Sequence, residues 1–138
     1  MEFDFKLSTD PLQKILKKLP QETQKKVVRN AVRAGAKLIL QESIQLAPYD
    51  LTRKSGTHLI DAIIVRRIRN TNDVFRIGTL ARDAPHAHLL EFGTVKMQPR
   101  PFLRPAVDNV QGGVAIKMIK ILNRGILREM KKLDKGKK

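Results

Sequence analysis

The residues closest to a metal-binding pattern are His86, His88 and Glu91. Imidazole and carboxylate groups remain as ligands for zinc when cysteine is absent, and this chain has no cysteine. On a helix, residues two positions apart point to different sides, so only His88 and Glu91 share a face. Two ligands on one face do not make a metal site, and we predict that no metal is bound.

The rest of the sequence does not predict catalysis either. It contains neither a phosphate-binding loop of the Gly-x-x-x-x-Gly-Lys type nor a strand-turn-helix elbow that would present a nucleophilic serine. The lack of cysteine also excludes thiol catalysis and disulfide bonds. We therefore predict a protein that is not an enzyme and has no cofactor.

Glu91 stands between Leu90 and Phe92, in surroundings that shield a carboxylate from water. A shielded carboxylate needs a partner, because a buried charge without one is costly. Arg104 is the candidate partner, within the fold or across a subunit boundary. The alternative is an ordinary glutamate at the surface.

The formal charge of +15 is the largest departure from an average composition. Positive charges of this number repel each other within the chain and lower its stability. A charge of this size is typical of a protein with an acidic partner, either nucleic acid or an acidic protein surface. Alternation along a strand sends Arg67 and Arg69 to one face and Arg66 to the other, so a flat sheet cannot present all of them to one ligand. The candidate contacts for DNA or an acidic partner lie in a predicted hairpin and in the last helix: Arg66, Arg67, Arg69, Arg76, Lys117, Lys120, Arg124 and Arg128. The alternative is a solvated basic surface.

The pattern of apolar residues predicts a single α+β domain over residues 1–138, in which a small antiparallel sheet packs against two long helices. The predicted helices cover residues 12–19, 21–46, 86–92 and 106–133, with a short turn at 58–62 and a kink or break in the last helix at Gln111, Gly112 and Gly113. The predicted strands cover residues 2–7, 60–69 and 74–78. A flexible loop at 49–57, an arm at about 94–101 and a frayed basic tail at 134–138 complete the chain.

The most constrained stretch is residues 85–106, which holds four of the seven prolines. Proline fixes its own backbone and restricts the residue before it, so such a stretch makes a specific shape. We predict a short helix with Ala87, Leu89 and Phe92 turned inward, ended by Gly93 in the left-handed conformation. An exposed arm follows, and Phe102 and Leu103 anchor the extended lead-in to the last helix.

This stretch also carries a family resemblance. Ala87, the run Glu91-Phe92-Gly93-Thr94 and the run Pro101-Phe102-Leu103-Arg104-Pro105-Ala106 resemble the signature of the tail-completion, or head-to-tail joining, proteins of long-tailed, lambda-like bacteriophages. The order of elements agrees over nearly the whole chain. The resemblance implies a structural virion protein, of the neck or minor tail class, that completes the tail and joins it to the head within a ring-shaped connector.

The resemblance further implies the partners. These are copies of the same chain in a ring, expected to be a hexamer, and the neighbouring tail and head-connector proteins, with phage DNA as a possible contact in the channel. The expected location is the head-tail junction of the virion, after assembly in the host cytoplasm, and no membrane is involved. The expected interface residues are Glu91, Phe92, Gly93, Thr94, Pro101, Phe102, Leu103, Arg104 and Pro105.

Two other functions stay open at this point. A basic protein that binds nucleic acid without sequence preference would use the same arginines and lysines. A minor capsid or tail protein elsewhere in the particle would share the fold.

Overall fold

The computed structural model describes residues 10–49, 56–71 and 73–137. In chain order the elements are α1 (Asp10–Leu16), α2 (Gln21–Leu46), α3 (Leu59–Ala62), β1 (Ile63–Arg67), β2 (Phe75–Thr79), α4 (Ala87–Phe92) and α5 (Leu103–Gly136). The fold is α+β, as predicted: a two-stranded antiparallel sheet with one long helix from each half of the chain. The predicted strand at residues 2–7 and most of the predicted loop at 49–57 lie outside the described residues.

Helices α2 and α5 form the centre of the molecule and run in opposite directions. Val27, near the start of α2, packs with Ile126 towards the end of α5. Ile39 packs with Val107 and Val114, near the start of α5. Prolines mark the bounds of α2: it begins after Pro20, and it ends before Ala47, because the residue that precedes Pro48 is forced into an extended conformation.

Two glycines lie directly against side chains of the opposite helix. A Cβ atom added to Gly35 of α2 would lie 2.8 Å from Cγ of Met118 and 3.0 Å from Cγ1 of Val114. A Cβ added to Gly125 of α5 would lie 2.9 Å from Cγ1 of Val27. The distance between the helices is therefore set by positions that have no side chain.

The last helix is longer and more regular than predicted. It begins at Leu103 rather than at 106, passes through Gly112 and Gly113 without a break, and ends at Gly136 rather than at 133. Each glycine costs the helix about 1 kcal/mol relative to alanine. Val110 and Val114 pack against α2 on either side of the glycines, and this tertiary contact outweighs the cost. Pro105 is tolerated because a first-turn N–H has no partner within the helix.

The first strand is shorter than predicted, because α3 takes up its start and a turn takes up its end. The second strand has the predicted length of five residues and begins one residue later, at Phe75. Asn70 and Asp73 have positive φ angles of 60° and 63° in the turn between the strands. Val65 lies opposite Ile77 in the sheet, and Arg66 lies opposite Arg76. Ile77 packs on the α2–α5 core, whereas Arg66 and Arg76 are exposed. In the described part of the chain, no helix is long and apolar enough to cross a membrane.

We expect Gly35→Leu to lower the free energy of unfolding by about 1–3 kcal/mol, because the new side chain overpacks the contact with Met118 and Val114. The matched control is Gly112→Leu, at a helical position with nothing within 4 Å of an added Cβ. There we expect a gain of up to about 1 kcal/mol from helix propensity. Thermal unfolding measures both. Equal effects of the two substitutions would contradict the close contact.

Candidate interaction site

Helix α4 turns the carboxylate of Glu91 into the protein. Ala87 is buried against Ile63 and Phe102, and Glu91 lies one turn later on the same face. The Glu91 residue is only 8% exposed. Phe92, one position further, points outwards and is 73% exposed. The prediction that Phe92 faces inward was therefore wrong: the inward position at the end of this helix belongs to the glutamate.

Three successive backbone N–H groups donate hydrogen bonds to this carboxylate. Oε2 of Glu91 accepts from the N–H of Phe102 at 2.9 Å and of Leu103 at 3.1 Å, and Oε1 accepts from the N–H of Arg104 at 3.0 Å. The first N–H groups of a helix have no partner within it, and they form the positive end of the helix dipole. Glu91 therefore caps the N-terminus of α5 from a different helix.

The cap gives a physical reason for the burial of Glu91. Burial of a charge is tolerated where hydrogen bonds satisfy the carboxylate, and the main chain at the start of α5 supplies three. The prediction of a shielded carboxylate with a partner at Arg104 named the right residue. The contact that the structure shows there is made by the N–H group of Arg104.

Phe102 holds the start of α5 in place through its apolar side chain. Its side chain is 0% exposed and packs with Ala47, Ile63 and Ala87. The predicted anchor at Phe102 is thus present, and it belongs to the core of the chain itself. Because Glu91 holds the backbone of Phe102 while the core holds its side chain, the two motifs of the sequence form one structural unit.

Fixed contacts hold both ends of the arm, residues 94–101, against this unit. Gly93 has a φ angle of +74°, and a Cβ added to it would lie 2.8 Å from N of Pro99 and 2.9 Å from the carbonyl oxygen of Met97. Only glycine fits this position. At the other end, the N–H of Arg100 donates to the carbonyl oxygen of Leu90 at 2.7 Å.

The tip of the arm is a tight turn. The N–H of Thr94 donates to the carbonyl oxygen of Met97 at 2.9 Å. The N–H of Met97 donates to the hydroxyl oxygen of Thr94 at 3.1 Å. Between them Val95 projects with a relative exposure of 106%. Val95 and, three residues earlier, Phe92 are the most exposed large apolar side chains of this part of the chain.

A model of the family described as "Bacteriophage HK97-gp10, putative tail-component" matches residues 10–93. This range covers more than half of the chain and includes the capping helix α4 and Gly93. The chain belongs to the HK97-gp10-like family. It is therefore a structural component of a phage tail, and its place is the virion. Neither the curated proteins nor the solved structures with which the chain was compared gave a match.

The structure of this tail component divides the nine predicted interface residues into three groups. Glu91 and Phe102 are buried within the chain and hold the arm in place. Gly93, Leu103 and Pro105 are half-buried. The positions that a partner can reach directly are Phe92, Thr94, Pro101 and Arg104. Val95 is the most exposed large apolar residue in the described part of the chain. It is not among the predicted interface residues, because nothing in the local sequence distinguishes it from any other loop residue.

The predicted basic contacts form two surfaces. On the hairpin, Arg66 lies directly opposite Arg76, and Arg67 and Arg69 are also exposed. On α5, a spacing of three to four residues places four exposed basic side chains along one stripe: Lys117, Lys120, Arg124 and Arg128. Both surfaces can contact an acidic partner. Among the described residues, no three side chains of the metal-binding types are grouped as a metal site requires.

We expect Glu91→Ala to lower the free energy of unfolding by about 2–4 kcal/mol, because it leaves N–H groups at the start of α5 without an acceptor. Thermal or denaturant unfolding measures the loss. The matched control is Glu22→Ala, since Glu22 forms an exposed ion pair with Lys25 at 3.1 Å on the surface of α2. Its loss should cost less than about 0.5 kcal/mol. A Glu91→Ala variant as stable as the control would contradict the cap.

Proposed function

We propose that this tail component completes the tail and joins it to the head, as one subunit of a ring-shaped connector. The observation that supports the proposal is the fixed arm with its exposed apolar tip. Each subunit carries the arm once, at a defined angle to its body. If the arm binds a different surface of the next copy, the contact is heterologous, and repetition of such a contact closes a ring.

The rigidity of the arm suits this role. A flexible loop loses conformational entropy when it binds, whereas a loop already held in its bound shape loses little. Glu91, Gly93 and the hydrogen bond from Arg100 to Leu90 hold the arm before any partner is present. Full burial of a valine or phenylalanine side chain contributes about 1.5–3 kcal/mol. Burial of Val95 and Phe92 therefore contributes to the free energy of binding, and little of this contribution is offset by the entropy cost of ordering the loop.

The resemblance to tail-completion proteins implies two further features of the proposed connector. The ring has six-fold symmetry, to match a tail tube, and its partners are the neighbouring tail and head-connector proteins. The proposed role is architectural, without catalysis or cofactor. The proposed location within the virion is the head-tail junction.

The positive charge fits an acidic neighbour in this assembly. Like charges directly opposite each other in a sheet are destabilising, and Arg66 faces Arg76 in this way on the exposed side of the hairpin. An acidic surface that covers them would remove this cost. We favour acidic protein neighbours over DNA in the channel, because the basic residues are spread over the hairpin and α5.

A second candidate function is non-specific binding of nucleic acid. The observation that favours it is the stripe of basic side chains along α5, which can follow a phosphate backbone. This function needs neither the arm nor self-association. It predicts a monomer that retards duplex DNA and loses affinity steeply as the salt concentration rises.

We expect Val95→Asp to abolish self-association without a change in melting temperature, because Val95 is fully exposed in the monomer and buried in the proposed contact. Light scattering gives the mass of each variant, at low and moderate salt, with and without duplex DNA. The control is Ile116→Asp, which introduces the same charge at an exposed apolar position of α5, outside the arm. It should assemble as the unmodified chain does.

Three outcomes of this experiment would count against the proposal. A Val95→Asp variant that assembles normally would remove the arm from the contact. Equal loss of assembly in the two variants would show an effect of charge rather than of the arm. An unmodified chain that stays monomeric and forms salt-sensitive complexes with duplex DNA would favour the second candidate function.

A further inference from the structure

Two grooves lie beside the two strands of the sheet. The larger groove, of about 760 Å³, is lined by β2, by parts of α2 and α5, and by His88, Glu91 and Phe92 of α4. It shares Phe92 with the apolar surface proposed above for contacts between copies. The smaller groove, of about 440 Å³, lies between β1 and α2. Among the described residues, the two grooves have only Phe75 in common, so the smaller one is a separate surface.

The smaller groove runs along the free edge of β1. Ile63, Ile64 and Val65 all line it. Successive residues of a strand point to opposite faces, so a space that touches all three lies at the edge of the strand. The other edge of β1 is paired with β2, and among the described residues β1 pairs with no further strand.

The backbone of β1 directs hydrogen-bonding groups to this edge. The N–H of Ile68 donates to the carbonyl oxygen of Val74 at 3.0 Å, and the N–H of Leu80 donates to the carbonyl oxygen of Ala62 at 3.3 Å. In an antiparallel pair the hydrogen-bonded residues recur at every second position. Val65 belongs to the alternate set, so its N–H and C=O groups point away from β2. An edge of this kind can accept an extended segment as a further strand.

One end of the groove is basic. Arg33 of α2 lies over the ring of Phe75, with Cζ 5.8 Å from the ring centroid, and this cation–π contact holds the guanidinium in place. Phe75 lies opposite Arg67 in the sheet, and Lys37 follows Arg33 one turn later on α2. The three cationic side chains line the groove and are exposed. Among the described residues, none of the three forms an ion pair.

The other end of the groove is apolar. Leu40, one turn beyond Lys37, packs against the buried cluster that contains Ile63, at the start of β1. Basic and apolar groups are therefore separated along about 13 Å of strand. We propose that the groove binds an extended segment of an acidic partner protein, which pairs with β1. The segment places acidic side chains at the Arg67 end and an apolar side chain at the Leu40 end.

Two other occupants fit the groove less well. A nucleic-acid backbone matches the three cations, but it offers nothing to the apolar end beside Leu40. A second copy of this chain carries the same formal charge of +15 and is repelled by the basic end.

This inference deepens the proposed function, because it names a surface for the acidic protein neighbour, and it rests on that neighbour. It does not rest on the arm or on the ring. Peptide binding tests the groove, whereas the mass of the Val95→Asp variant tests the contact between copies. The groove and the connector role can therefore fail separately.

Fluorescence anisotropy of a labelled peptide tests the inference on the full chain. The probe is Gly-Leu-Thr-Glu-Thr-Glu-Gly, in which leucine and both glutamates share one face of a strand. It is used together with the reverse order, since a strand can add in either direction. We expect saturable binding of at least one of the two, weakened at least about tenfold when glutamine replaces both glutamates. No saturable binding of either peptide up to about 1 mM would overturn the inference.

Charge reversal in the groove provides the matched variants. Lys37→Glu should weaken peptide binding at least about fivefold, because it places a like charge beside the glutamates. Arg67→Glu, on the strand, should repeat the loss. The control is Lys26→Glu, which makes the same change of charge at an exposed position of α2 outside the groove and should alter the affinity less than about twofold. All three positions are exposed, so the melting temperatures should agree. Equal losses for Lys37→Glu and Lys26→Glu would overturn the inference.

Methylation of the peptide nitrogens tests the strand pairing. Alternate N–H groups of a strand point to the same edge, so methylation of one alternate set removes the hydrogen bonds to β1 and methylation of the other set retains them. The two methylated peptides should differ at least about tenfold in affinity, and equal affinities would overturn the inference. An equal loss of duplex DNA binding and of peptide binding in Lys37→Glu would overturn it by assigning the groove to a phosphate backbone. A lower oligomeric mass of Lys37→Glu would overturn it by assigning the groove to another copy.

Discussion

The hydrogen bonds of the Glu91 carboxylate to the first turn of α5 fix the part of the molecule that carries the arm. Helix α4 carries the acceptor, Glu91, and the start of α5 carries the donor N–H groups. The arm between the two helices therefore begins and ends beside the same carboxylate. A buried carboxylate without partners would cost several kcal/mol. Three N–H groups and the positive end of a long helix dipole offset this cost. The shape of the arm therefore depends on a single side chain and on the helix that it caps.

This constraint accounts for the residue types in the two motifs. The glutamate needs a helix end that points at α5, and Gly93 allows the backbone to turn away at once with a φ of +74°. Pro99 and the carbonyl of Met97 occupy the space that any other side chain at position 93 would fill. Phe102 then fills the core so that the donors face the carboxylate. Each residue type follows from the requirement that the loop returns to its own capping group.

Local features were predictable from the sequence, and features that depend on distant contacts were not. The bounds of α2 follow from Pro20 and Pro48 and agree with the prediction to the residue. The unbroken course of α5 through Gly112 and Gly113 depends on packing against α2. Local helix propensity takes no account of this packing and therefore predicts a break. The cap was only partly predictable: the shielding of Glu91 could be inferred from its neighbours. Its donors are backbone groups, which every residue but proline carries, so residue types alone could not identify all three of them.

The high positive charge and the apolar arm have opposite consequences for assembly. Subunits with a formal charge of +15 repel each other, and salt screens this repulsion over a Debye length of about 8 Å at physiological ionic strength. Contacts through Val95 and Phe92 are apolar and gain as the repulsion is screened. Contacts through the α5 stripe to a polyanion lose strength under the same conditions. In the proposed ring, acidic neighbouring proteins would reduce the repulsion between subunits as salt does in solution, because they neutralise positive charge at the contact. A charge of this size thus favours assembly onto a partner surface over assembly of the ring in isolation.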